Sequence, residues 1–438
     1  MDDYSHLFDF TKIFIPHIVR NGGDAMSGDF SIQCSTNRIN IPPNKGQKLF
    51  LKIEIIPQKD TTSGPLPINV CLLIDRSGSM AGTKLQNAKE GAINLIHQLT
   101  ASDHVGVVTF ESHIEVVLPV QPATGIEKYE KAIESIGLGG TTELYRGLES
   151  AFLELRKSLD TPYRLEKETV QRIVLLSDGI PTDNKPQASY RMLARSMREV
   201  GISITALGIG EDYNEDLLSI TAENSGGTWY HIVSPGSIPD IFSRELADMK
   251  TVVFSRPELI LRLTQDVELE DVHKSKPVVH RISNIIQDGA AFRIPLGDIR
   301  AGESQTIVAR LAVPPRPEGQ CRIAGISVIS GMVCQSEDVV ITYTPDESLW
   351  DEADPYSRTL FAVTDTQIKA RDGLSGDKTA LREAQSQLQT LLRDPEATKV
   401  KDIADRTVLI KDVLERPTNL MSKEETKIAK SELTHSKR

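Results

Sequence analysis

The spacing of apolar residues changes character three times along the chain. Between positions 28 and 58 the period is two. Phe30, Ile32 and Cys34 alternate with polar residues, and Leu49, Leu51, Ile53 and Ile55 do so again after the turn Pro42-Pro43-Asn44-Lys45-Gly46. Such alternation predicts strands with one buried face. After Thr61-Thr62-Ser63-Gly64-Pro65, read as a short linker, continuous apolar runs take over: Val70-Cys71-Leu72-Leu73-Ile74 and Ile173-Val174-Leu175-Leu176. Runs of this length bounded by turn residues predict strands covered on both faces. Residues 105–110 and 202–207 are strand-like as well. Between the strands, Leu85, Ala88, Ala92, Leu95, Ile96 and Leu99 recur at helical spacing, and 188–200 is helical. Alternating strands and helices predict a mostly parallel, doubly wound sheet with helices on both faces.

Beyond Lys250 the period returns to two, in Leu259, Leu261 and Leu263 and then in runs at 307–313, 323–329 and 339–343, with Pro314-Pro315-Arg316-Pro317-Glu318-Gly319 as punctuation. An antiparallel sandwich is expected there. Because alternating strands flank the doubly wound unit on both sides, the early strands are expected to join the later ones, with the α/β unit inserted between them. From about Asp346 the pattern is helical, with Leu381, Ala384, Leu388, Leu391 and Leu392 in one stripe and Val400, Ile403, Ile410 and Leu414 in another. Two or three packed helices are predicted, serving either to brace the sandwich or to dock a partner. Residues 421–438 are highly charged and are expected to fray. The resulting division is 1–65, N-terminal strands of the sandwich; 66–250, the α/β unit; 251–345, the rest of the sandwich; and 346–438, a helical region.

Composition narrows the function. The 438 residues carry a formal net charge of −11, and the sequence pI is about 5.4. An acidic chain without a basic run interleaved with aromatics argues against nucleic acid as a partner. No apolar stretch has the length of a membrane span. The start Met1-Asp2-Asp3-Tyr4 lacks a basic-then-apolar export pattern, so a cytoplasmic location is expected. Cys71 is expected to be a small buried hydrophobe. Cys321 and Cys334 could face each other across a hairpin, but all four cysteines are read as reduced.

The chemistry concentrates at strand ends. Asp75-Arg76-Ser77-Gly78-Ser79 follows the 70–74 run directly, and Ser177-Asp178-Gly179 follows the 173–176 run. In open α/β sheets, ligands bind at the carboxyl ends of the strands. One carboxylate and two hydroxyls at alternate positions of a tight turn suit Mg2+, which takes oxygen ligands and keeps several waters. The bland readings are that Ser77 or Ser79 caps the next helix and that Asp178-Gly179 is only a turn pair. Gly139-Gly140-Thr141-Thr142 adds hydroxyls in a glycine turn, and no Gly-Lys-Ser/Thr follows to make it a nucleotide loop.

Taken in order, these segments resemble the von Willebrand factor A domain and its metal-ion-dependent adhesion site, over roughly 66–250. Gly208-Ile209-Gly210, Asn214-Glu215-Asp216-Leu217-Leu218 and Ser225-Gly226-Gly227 match that family's late strand, helix and final turn. The resemblance implies Asp75, Ser77, Ser79, Thr142 and Asp178 as ligands of Mg2+, or of Mn2+ or Ca2+, with Thr141 a competitor for Thr142. It further implies a protein partner that presents an Asp or Glu to the metal.

The whole arrangement looks like bacterial proteins carrying this domain, of the intracellular type, and loosely like inter-alpha-trypsin inhibitor heavy chains. An enzyme is not expected. A metal-dependent hydrolase would need a general base in reach, and His97, His104 and His113 all lie outside the motif turns. Ser77 sits in no G-x-S-x-G elbow. A third reading, an adaptor for an AAA+ ATPase, would use the same metal site toward a different partner.

Overall fold

The computed structural model describes residues 30–58, 66–159, 169–282, 285–330, 333–416 and 421–435. The 61–65 linker and the first residues of the chain lie outside these. Three strands open the fold: β1 (Phe30–Thr36), β2 (Asn40–Ile41) and β3 (Gln47–Pro57). The α/β unit follows as β4 (Ile68–Asp75), α1 (Thr83–His97), β5 (His104–Phe110), β6 (Ile114–Pro122), α2 (Ile126–Glu134) and α3 (Leu144–Leu159). It continues through β7 (Val170–Ser177), α4 (Gln187–Glu199), β8 (Ile202–Ile209), α5 (Glu215–Ser225), β9 (Thr228–Ile232) and α6 (Ile238–Lys250).

The sheet of this unit has the order β6-β5-β4-β7-β8-β9, parallel except for the antiparallel edge strand β6. Side chains of β4 alternate between two helical layers, as the strand pleat requires. Val70, Leu72 and Ile74 pack with α1, α2 and α6, whereas Cys71 and Leu73 pack with α3, α4 and α5. Consecutive strands leave β4 in opposite directions, β5 on one side and β7 on the other, so the switch point of the winding lies between β4 and β7. Their carboxyl ends carry Asp75 and Ser177-Asp178.

The remaining strands are β10 (Val252–Phe254), β11 (Glu258–Leu263), β12 (Glu268–Lys276), β13 (His280–Arg281), β14 (Ile286–Asp288), β15 (Ala291–Pro295), β16 (Ile299–Arg300), β17 (Gln305–Val313), β18 (Gly319–Ser330) and β19 (Val333–Tyr343). They build two sheets, β1-β3-β17-β12-β13 and β14-β15-β11-β18-β19-β2, besides the small pair β10-β16. The early strands do join the later ones: β3 pairs with β17 over nine positions, Gln47–Val313 to Ile55–Gln305. Leu49, Leu51, Ile53 and Ile55 from one sheet meet Leu259, Leu261, Ile326 and Val328 from the other in one core. Cys321 lies opposite Ile341 and Cys334 opposite Ile329, at different levels of the β18–β19 ladder, so these two cysteines do not face each other. All four cysteines are free.

The tail holds α7 (Pro355–Leu374), α8 (Lys378–Leu391), α9 (Pro395–Lys399), α10 (Lys401–Glu415) and α11 (Lys423–Thr434), more helices than the two or three expected. Val308 of β17 points away from the sandwich core and packs with Leu360, Phe361 and Val363 of α7, so the helices cover the outer face of that sheet. A guanidinium fastens the two layers. Arg406 of α10 is 3% exposed and donates to Gln367 Oε1 at 2.5 Å, Ser275 Oγ at 2.9 Å and Thr364 Oγ1 at 2.9 Å.

The expectation of a frayed end is corrected for residues 422–435. Ser422 and Glu425 form a reciprocal capping box that satisfies two free amides at the start of α11. Lys427 and Lys430, within the segment expected to fray, are buried. Lys427 Nζ donates to the carbonyls of Glu211 (2.6 Å) and Tyr213 (3.1 Å), and Lys430 pairs with Glu215 at 3.4 Å and Asp216 at 3.5 Å. Long lysine stems can be buried when their heads find oxygens. Helix α11 thereby lies against β9, with His435 stacked on Tyr230 at 5.1 Å.

Glycine is required at one tight crossing. A Cβ on Gly227 would lie 2.1 Å from the Ile204 carbonyl oxygen, a backbone atom that cannot rotate away. Gly227→Ala is expected to destabilise the chain by about 3 kcal/mol through overpacking. A urea-unfolding midpoint equal to that of the wild type would overturn this reading.

Candidate metal centre

Four segments converge at the carboxyl end of β4. Asp75 is the last residue of its strand and fully buried, and one of its carboxylate oxygens accepts from the Ser77 amide at 2.8 Å. The other accepts from the Ser177 hydroxyl at 2.7 Å, across from the neighbouring strand β7. A single turn of 3-10 helix at Gly78–Met80 then carries Ser79 back over the strand end. Ser77 Oγ and Ser79 Oγ lie 3.0 Å apart, and Ser79 Oγ donates to Asp178 Oδ1 at 2.7 Å. The capping alternative for the serines does not describe them, since neither the 3-10 turn nor α1 has a side-chain cap hydrogen bond.

The third hydroxyl arrives from the Gly139-Gly140 turn. A Cβ on Gly179 would lie 3.0 Å from Thr142 Oγ1 and 3.5 Å from Ser79 Oγ, so Thr142 borders the same space as Ser79 and Asp178. Thr142 is 5% exposed, whereas its competitor Thr141 faces solvent. The Thr142 backbone is held on both sides by Thr182, whose amide donates to the Thr142 carbonyl at 2.9 Å and whose Oγ1 accepts from the Thr142 amide at 3.1 Å. All five residues singled out in the sequence thus gather at one strand edge.

The electrostatics are those of a cation seat. Burial pushes the Asp75 carboxyl up to about 6, opposed by the hydrogen bonds from Ser177 and Ser77 and reinforced by the nearby charge of Asp178. Asp75 makes no ion pair among the described residues. A buried carboxylate without a countercharge is costly. The Lys84 ammonium already sits at the site, 2.5 Å from Asp178 Oδ2 and 3.3 Å from the Ser79 carbonyl. A donor set of carboxylates and hydroxyls with no sulfur or imidazole suits a hard cation. The residues present therefore fit the metal that the sequence motif called for.

Two contributors escaped the sequence reading. Glu111, immediately after β5, is 5% exposed and accepts from the Gly140 amide at 3.0 Å and from the Ser112 amide and hydroxyl. Hydrogen bonds from Ser112, followed by those from Gly140 and His113, hold its carboxyl well below the usual carboxylate range against the effect of burial. It also pairs with Arg76 at 3.4 Å. Glu111 thus positions the glycine turn that delivers Thr142. The available signal was its location, since it follows a buried strand as Asp178 does. Lys84 offered no signal beyond its closeness to the motif. Of the histidines, His97 pairs with Glu130 (2.7 Å) and His113 with Glu111 (3.2 Å).

Comparison with known proteins agrees with this geometry. Residues 69–244 match the model of the von Willebrand factor type A domain. An uncharacterized protein of Synechocystis is 26% identical over 306 residues, covering 68% of this chain and 70% of that one. The uncharacterized protein YfbK of Escherichia coli is 24% identical over 279 residues, 62% of this chain and 46% of its own. Human inter-alpha-trypsin inhibitor heavy chain H2 is 30% identical over 169 residues, which are 37% of this chain but 18% of that protein. The chain thus spans less than half of the latter two.

Solved structures extend the likeness to the whole fold. A von Willebrand factor type A protein from Catenulispora acidiphila superposes with a TM-score of 0.74 at 17% identity, covering 95% of this chain and 99% of that one. The ArnB paralog VWA2 from Sulfolobus acidocaldarius gives 0.62 at 20% identity, with 93% and 98% covered. Among the described residues, no helix is long and apolar enough to cross a membrane. The chain carries a von Willebrand factor type A domain, set between the strands of a β-sandwich and braced by a helical tail.

Proposed function

We propose that the chain is a divalent-metal-dependent protein-binding module, cytoplasmic and without catalytic activity, that engages an acidic side chain of a protein partner at the carboxyl edge of β4. The observation that carries this is the convergence of Asp75, Ser77, Ser79, Thr142 and Asp178 on one strand edge around a fully buried carboxylate without a countercharge. Those five residues would hold Mg2+ or a similar hard cation. When bound, the cation supplies an electrophilic centre for a carboxylate oxygen.

The charge balance favours an outside ligand. Asp75 and Asp178 together only neutralise a divalent ion, hydroxyls add no charge, and the Lys84 ammonium beside Asp178 leaves the site one positive charge over. An incoming Asp or Glu then gains a desolvated charge contact worth roughly 2–5 kcal/mol. Without the cation, the buried Asp75 carboxylate, which has no countercharge among the described residues, repels it.

Arguments against hydrolysis come from the surroundings. Of the histidines weighed as a base, His97 and His113 are engaged by Glu130 and Glu111, and His104 begins β5, at the end of the strand away from the motif. Neither His97 nor His113 bonds a motif hydroxyl among the described residues.

The test is metal binding followed by partner retention. Calorimetry with Mg2+ is expected to show one saturable site, and a pulldown is expected to lose its specific partner in EDTA. The pH dependence has a defined sign. The folded-state value of Asp75 lies above its unfolded one, so the cost of its charge is absent below pH ~4, grows through about 6 and is complete at neutral pH. Mg2+ is therefore expected to raise the melting temperature more at pH 7.5 than at pH 5. Partner retention unchanged by EDTA, or steady hydrolysis of a simple phosphoester dependent on Asp178, would sink the reading.

A further inference from the structure

At the opposite edge of the α/β sheet, where β7 begins, the inserted unit, the sandwich and the helical tail enclose a cavity of about 540 Å³. Its lining is strongly cationic. Six Arg and Lys side chains face four carboxylates, and three of the six are matched locally. Arg172 pairs with Asp298 at 2.5 Å, Arg300 with Asp248 at 3.2 Å and Glu303 at 3.5 Å, and Arg416 with Glu432 at 3.7 Å. Arg198, Arg244 and Lys274 make no ion pair among the described residues. Asp412, on the exposed side of α10, is the one lining carboxylate left over.

Two of these unmatched cations are held where water cannot serve them well. Lys274 is 8% exposed, and its ammonium finds a single oxygen, the Leu296 carbonyl at 2.7 Å. Arg198 reaches the Pro295 carbonyl at 2.6 Å with one amino group, while its Nε is buried without a partner. Burial pushes the Lys274 ammonium down to about 7, and the neighbouring charge of Arg198 adds to that. Burial likewise lowers Arg198, to about 10. An ammonium and a guanidinium near each other, each hydrogen-bonded only to a neutral carbonyl, leave donors unanswered, while Asp298 and Glu303 near Lys274 and Glu258 near Arg198 offset part of the charge. Counting Asp248, which Arg300 also engages, five carboxylates stand against the six cations, and one positive charge is left over.

We propose that this cavity binds a small molecule carrying a phosphate group. A phosphate monoester brings close to two negative charges at neutral pH and three acceptor oxygens. It matches the fork of Arg198 and the point charge of Lys274, with Arg244 at the rim. A carboxylate offers two acceptor oxygens where a phosphate offers three, and so answers fewer of the open donors of Arg198 and Lys274. The cavity exceeds a bare phosphate in size, and Tyr230, Leu296 and Leu409 give it an apolar wall for an organic remainder. Because its walls come from all three parts of the chain, the ligand ties them together. The site shares no residue with the metal centre and stands independently of it.

The test is calorimetric titration of the full chain with inorganic phosphate and with phenyl phosphate, at ionic strength matched with chloride. Saturable one-to-one binding is expected, tighter for phenyl phosphate, together with a raised melting temperature. Lys274→Met and Arg198→Gln are each expected to weaken it about tenfold or more, as for loss of a charge-assisted bond. Exposed Arg244→Ala, which cannot unfold the chain, is expected to weaken it about threefold. No saturable binding up to about 10 mM of either probe, or equal affinity in wild type and Arg244→Ala together with whichever buried variant folds, overturns the proposal.

Discussion

Asp75→Asn is expected to separate stability from metal binding: the metal-free variant melts higher than the wild type at pH 7.5, while its affinity for Mg2+ falls about a hundredfold or more. The first half follows from the buried charge. Holding an ionised carboxylate whose value is raised from 3.8 to about 6 costs the folded state roughly 3 kcal/mol at neutral pH. Asparagine has the same shape without the charge. Its carbonyl accepts from the Ser77 amide as before, and its amide faces the Ser177 hydroxyl, which can accept as well as donate. The second half follows because one of two carboxylates neutralising the cation is gone. Thermal melts in EDTA and calorimetry with Mg2+ read the two effects separately. Wild-type Mg2+ affinity in the variant would remove Asp75 from the site.

The largest stability loss is expected at Arg406→Ala, about 4 kcal/mol from lost charge-assisted hydrogen bonds and an unfilled volume. Its guanidinium joins α10 to α7 through Gln367 and Thr364 and to the sandwich through Ser275. Truncation leaves the Gln367 carbonyl oxygen buried without a donor. Ser275 and Thr364 retain each other at 2.9 Å, and Thr364 also donates to the Leu360 carbonyl, so the hydroxyls suffer less. Arg406→Met refills much of the volume and is expected to recover about half of the loss. Urea unfolding measures both. A cost below about 1 kcal/mol for the alanine variant would show that the helices do not depend on this fastening.

The sequence disclosed the metal centre to the extent that its parts are local. Asp75, Ser77 and Ser79 lie within five residues of one another, at the end of an apolar run that can only be a buried strand or a helix segment. Asp178 follows a second such run. Choosing between Thr141 and Thr142 needed the turn's actual path, which Thr182 and Glu111 fix from distant parts of the chain. Glu111 was missed because a single carboxylate after a strand carries no spacing pattern.

The tail was the least legible part. The charged 421–438 segment reads as a frayed end because a sequence does not show that two carbonyls and two carboxylates of the 211–216 segment await Lys427 and Lys430. The doubly buried face of β17 also has no signature of its own. Val308 looks like any other strand residue until α7 is seen to lie over it.

Helix α11 has a bearing on solubility. An edge strand with open amides and carbonyls is a template on which other molecules add. In this sheet β6 and β9 are the two edge strands, and β9 has lying against it a helix supplied from about two hundred residues further along. Cutting the chain before Ser422 would therefore strip that cover from β9 and leave the last strand of the sheet bare on this side.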